Sequence, residues 1–136
     1  MSRPLTAFPD PLAETLTVLR ARLPGYAPGV VCGTRDYPPD DPDRPALPYL
    51  VLAVDAVIGQ WPVTRTATVR VLAHDRSAAR AARLAGLAQA VLLAYPGDER
   101  VRGFAERTGP MPATDPDTGA PVAAITVAVW LRPIPV

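Results

Sequence analysis

The chain has 136 residues, enough for one domain with a single core and too few for two. Its 14 basic residues, all of them arginine, nearly balance 13 acidic ones, and a net charge of +1 supplies no basic field to hold nucleic acid through its phosphates. Cys32 is the only cysteine, which excludes an internal disulfide and a thiolate cluster for zinc.

The N-terminus holds Arg3, Pro4, Pro9 and Pro11 and no apolar run long enough for a signal peptide or a membrane span, which predicts a cytosolic protein. Asp10 before Pro11 reads as an N-cap with proline at the first helical position, where its missing N–H costs nothing. Leu12, Leu16, Leu19 and Leu23 then recur at helical spacing, Glu14, Arg20 and Arg22 take the wet side, and Pro24-Gly25 supplies the stop.

Val30 to Thr34 suits a short first strand. From Asp36 to Pro48 the chain carries Pro38, Pro39, Pro42, Pro45 and Pro48 among Asp40, Asp41 and Asp43, a composition that favours extended backbone and predicts an exposed arm and contact surface. Tyr49 to Asp55 is nearly continuous apolar sequence, the pattern of a strand covered on both faces. Gly59 and Pro62 mark a turn carrying Trp61. Val63 to Ala73 then alternates, with Ala67, Val69 and Val71 on one side and Thr66, Thr68 and Arg70 on the other.

Asp75 reads as the cap of a second helix, whose stripe of Leu84, Leu87, Ala88, Val91, Leu92 and Tyr95 must lie on the sheet before Pro96-Gly97 ends it. Val101 to Arg107 is a weaker strand. Gly109 to Ala120 is either an extended hairpin connection or a loop tip. Pro121 to Arg132 alternates strictly, Ile125, Val127, Val129 and Leu131 against Ala124, Thr126, Ala128, Trp130 and Arg132, as a long strand with one buried face. The order predicts a single α+β domain: a mostly antiparallel sheet with two main helices packed on one face.

Catalytic chemistry is thin. Cys32, His74 and Asp75 suggest a nucleophile, base and orienting carboxylate, but a lone cysteine in an apolar strand is ordinarily a small buried hydrophobe and a lone histidine at a strand end a surface residue. Asp36, Asp40, Asp41 and Asp43 lack the glycine and terminal glutamate of a calcium loop, and Asp115 and Asp117 sit in ordinary turn chemistry, so no metal is expected. No glycine-rich phosphate loop is present, and no cofactor is expected. The chain therefore reads as a non-enzyme acting through surfaces. Arg76, Arg80 and Arg83 share a face near the start of the second helix, where the macrodipole disfavours cations, and would be compensated by solvent and Asp75 or by a neighbouring carboxylate patch. Trp61 and Trp130 stand where a monomer gains little from burying them, as interface residues do.

Several stretches together carry a resemblance. They are the leading helix with Leu-Arg-Ala-Arg-Leu-Pro at 19 to 24, the proline-rich passage into Pro48-Tyr49-Leu50-Val51-Leu52, and the Val69 to Asp75 strand running into an alanine-rich helix. The Asp115 to Pro121 turn and the terminal alternating strand complete it. In this order the chain resembles the tail terminator (tail completion) proteins of long-tailed bacteriophages. The resemblance implies a structural virion protein at the head-tail junction, assembled in the host cytoplasm. Its copies would form a hexameric ring that caps the tail tube, stops its polymerisation and docks onto the head connector. The implied partners are other copies of the chain, the tail tube protein and the head connector or head-completion protein, with no sequence-specific nucleic acid and no membrane. The candidate contact residues are Asp40, Asp41, Asp43, Trp61, Arg76, Arg80, Arg83 and Trp130. A head-closure or connector subunit, a small cytosolic enzyme using Cys32 and His74, and a ligand-binding domain are the alternative readings.

Overall fold

Asp10 opens the first helix as its spacing predicts. Its carboxylate accepts the amide of Leu12 at 2.9 Å, Pro11 takes the first position, and α1 runs Pro11–Arg22 before a 3-10 turn over Leu23–Gly25. The computed structural model describes residues 5–135; Arg3 and Pro4 of the N-terminal reading lie outside them. Among the described residues no helix is long and apolar enough to cross a membrane.

The elements follow in the order β1 (Thr6–Ala7), α1, β2 (Val31–Gly33), β3 (Tyr49–Gln60), β4 (Thr64–His74), α2 (Ala78–Leu93), β5 (Val101–Thr114), β6 (Pro121–Leu131) and β7 (Ile134–Pro135). A five-stranded sheet has the order β2-β3-β4-β6-β5, and β1 and β7 form a separate two-stranded ladder. Every pairing in the large sheet is antiparallel except β2 with β3. The fold is α+β, as expected.

Strand alternation decides what each face holds. Val69, Val71 and Ala73 of β4 lie beside Val127, Ile125 and Ala123 of β6, and this row meets Leu16, Leu19 and Leu23 of the leading segment and Ala81, Leu84, Ala85, Ala88 and Leu92 of α2. Three of the α2 core positions are alanine, which lets that helix approach the sheet closely. The predicted leucine face of α1 and apolar stripe of α2 are thus the core.

Several boundaries differ from expectation, each for a physical reason. Helix α2 is capped by Ser77, not Asp75: the Ser77 hydroxyl accepts the Arg80 amide at 3.1 Å, whereas the Asp75 carboxylate accepts its neighbour Arg76. Arg76 consequently lies outside the helix. Strand β3 continues to Gln60 and is buried only from Tyr49 to Leu52; its exposed stretch begins at Val54, beyond the residues paired with β2 and past the last β3 residue of the helix-covered core. Both-face coverage to Asp55 does not hold. Strand β5 extends to Thr114 through Pro110 and Pro112, leaving a turn only from 115 to 120. An edge position tolerates those prolines, since an outward amide has no ladder partner to lose.

Gly97 closes the link from α2 to β5 with φ +92°, and a Cβ there would stand 3.0 Å from the Val101 carbonyl oxygen and closer still to that of Arg102. Gly97→Ala should cost about 1–3 kcal/mol of unfolding free energy in urea titrations. Leu19→Ala, which empties a fully buried site, should cost about 2–5 kcal/mol in the same measurement.

Candidate functional site

The register separates the Cys32 and His74 pair. Cys32 lies opposite Leu50, which lies opposite Ala73, a row on the helix-covered face; His74 lies opposite Tyr49 and Val122, on the other face. The two side chains project from opposite sides of the sheet. Cys32 is buried, and burial pushes its thiol up to about 11 although the Arg20 guanidinium pulls it down. Arg20 serves the backbone there, donating to the Cys32 carbonyl from Nε at 3.0 Å and Nη2 at 2.8 Å and tying α1 to β2.

His74 is not the surface residue its strand-end position suggested. It is 6 % exposed, stacked on Tyr49 with ring centroids 4.4 Å apart, and its Nδ1 stands 3.8 Å from a carboxylate oxygen of Asp115. Among the described residues its Nε2 is buried without a hydrogen-bond partner. Burial holds the imidazole below its ordinary 6.5; Asp115 and Asp36 oppose that shift and Arg44 reinforces it. Asp115 is itself buried, and burial would raise it, but the Asp117 amide at 2.9 Å and the Thr118 donors outweigh that and keep its carboxyl below the usual range.

Around His74 a cleft of about 460 Å³ opens on the helix-free face, lined by Asp36, Tyr37, Leu72 and Arg70 and by the turn residues Asp115 and Asp117. Arg70 has Asp55 3.7 Å away. Three further carboxylates are left to face the cleft, so it is acidic. A second cleft, about 520 Å³, opens on the helix side between the start of α2 and the residues that flank β2. Arg76, Arg80 and Arg83 line it with Asp75, Tyr26, Pro28, Leu47 and Pro48, so cations outnumber the carboxylate there. Among the described residues none of these arginines makes an ion pair.

The proline-rich segment is exposed but held in place. Arg35 binds Asp41 at 2.6 Å, Asp41 also accepts the Asp43 amide at 2.8 Å, and Tyr37 meets Tyr49 edge-on. Asp40 and Asp43 remain exposed. At the opposite end of the sheet, Trp61 and Trp130 are each 49 % exposed. Ile58, Thr66 and Trp130 form one row across β3, β4 and β6, and Val63 adds exposed apolar surface nearby. Charges at that end are used locally: Arg100 binds Glu14 at 2.5 Å, and Arg132 donates to the Asp98 carbonyl at 2.8 Å.

The eight candidate residues therefore divide. Trp61 and Trp130 gather at the hairpin end, the three arginines at the arm end on the helix face, and the aspartates on the arm. The acidic cleft around His74 was missed, although the parity placing His74 out of step with Ala73 and Val71 is a signal for it. The chain matches no known family and no curated protein.

The neutral imidazole carries a pH dependence. Unfolded His74 takes up its proton as pH falls through 6.5 while the folded form resists, so the stability due to burying it neutral is complete above that value and is lost below it. The depressed Asp115 acts in a lower window, below 3.8. Urea midpoints should fall between about pH 7.5 and about pH 5.5, and His74→Phe, which preserves the stack on Tyr49, should flatten that fall. Iodoacetamide at about pH 8 should leave Cys32 unlabelled in the folded protein and label it in urea.

Proposed function

We propose that the chain is a structural subunit of tail-terminator type, forming a ring that caps a phage tail tube and offers a docking surface to the head connector. The supporting observation is the chemical difference between the two ends of one sheet. The hairpin end presents Ile58, Trp61, Val63 and Trp130, whereas the arm end presents arginines on one face and carboxylates on the other. A tube cap needs two unlike surfaces, one that accepts the last tube ring and one that refuses another. The partly unpaired edge of β3 beyond Val51 gives such a subunit a further route to neighbours. The resemblance in element order points the same way. No part of this mechanism makes or breaks a bond.

The hairpin end is the surface assigned to the tube. Sedimentation and negative-stain imaging of the purified protein, alone and with isolated tail tubes, should give rings that sit on one tube end and block its elongation. Ile58→Ser combined with Trp61→Ser should leave the fold and lower tube binding about tenfold or more, since exposed aromatic anchors dominate such contacts. A protein that stays monomeric at high concentration and ignores tubes would overturn the reading, and binding to tail-less heads would favour a head-closure subunit.

A further inference from the structure

The two clefts are of similar volume and opposite charge, and they open on opposite faces of the same sheet. Both lie at its arm end: one beside the start of α2, the other around His74 and the turn that joins β5 to β6. We propose that the arginine cleft of one copy receives the acidic cleft of the next, with Arg80 and Arg83 meeting Asp36 and Asp117, so that copies join head to tail. This contact rests on the assembly reading above and names its partner.

Each side has groups left unmatched within the chain. Arg76, Arg80 and Arg83 have no carboxylate within ion-pair distance among the described residues, and Arg80 sits in the first turn of α2, where the helix field works against a cation. On the acidic side Asp36 and Asp117 are exposed and Asp115 is buried; of the nearby cations, Arg70 faces Asp55 and Arg44 donates to the Tyr49 hydroxyl at 3.3 Å. Among the described residues the buried Nε2 of His74 also lacks a partner. A guanidinium brings several N–H donors in one plane, so the arginines of a second copy suit the exposed carboxylates.

A contact between unlike faces is heterologous: it passes from copy to copy, and it closes into a ring where the rotation per copy divides a full turn.

Charge reversal tests this contact with positions that are all exposed and outside the core. One variant carries Arg80→Glu and Arg83→Glu; a second carries Asp36→Arg and Asp117→Arg. Each alone places like charges in contact, and in sedimentation velocity each should dissociate about tenfold or more readily than the wild type, with unchanged circular dichroism. Mixed in equal amounts they should reassemble, since each reversed cleft then meets its opposite, and a chain carrying all four changes should assemble by itself. If wild type assembles and both variants assemble equally well, the contact is refuted while the ring survives. If wild type is monomeric at high concentration, both the contact and the assembly reading fall.

Discussion

Everything in this molecule depends on one asymmetry: a five-stranded sheet that has helices on a single face. Alternation gives every strand two sides, and α1 and α2 can cover only one. Val69, Val71, Ile125, Val127 and Val129 take the covered side and are wholly buried. Burying such a side chain contributes about 1.5–3 kcal/mol each, so this layer dominates the favourable terms. Among the described residues the other side has no helical layer and must be satisfied by small residues, by loops or by another molecule. Ala128 and Val122 are buried there too, while Arg70 and Trp130 remain open.

That asymmetry also settles what the polar groups can do. A thiol and an imidazole that look like partners in the sequence are held on opposite sides of the sheet, because Cys32 is in phase with Ala73 and His74 is one residue out of phase. The same shift by one residue drops His74 against Tyr49 and beneath Asp115. There burial favours its neutral form, and its second nitrogen goes without a partner among the described residues. A buried polar atom left unpaired in this way costs about 1–3 kcal/mol. In a small domain that is a sizeable fraction of the net stability, which makes the site a natural place for a donor to arrive.

The legible part of the sequence was its periodicity. The leucines of α1, the stripe of α2 and the alternation of β4 and β6 each named a buried face correctly, because one side chain at each position had only one apolar surface to meet. Ends were less legible. The Asp75 and Ser77 choice turns on which oxygen reaches an amide three residues on, and both residues are good caps by type. Strand β5 hid behind Pro110 and Pro112, which argue against a strand until its edge position is known. The acidic cleft was invisible as a unit, since Asp36, His74 and Asp117 are far apart in the chain and meet only through the register of three strands.

The two edges of the sheet are not equivalent. Strand β5 is interrupted by register shifts after Val101, Glu106 and Thr108 and carries two prolines, features that blunt an edge against casual pairing. Strand β3 has one bulge, at Asp55, and beyond Val51 its outer side is open, with Val54, Val57 and Ile58 exposed along it. Val54 and Val57 share a side with the core residues Val69 and Ala67, but they lie past the helices that cover that core. An edge built this way invites one neighbour on one side only. Combined with clefts of opposite sign on the two faces, it gives the domain a chemically distinct front and back.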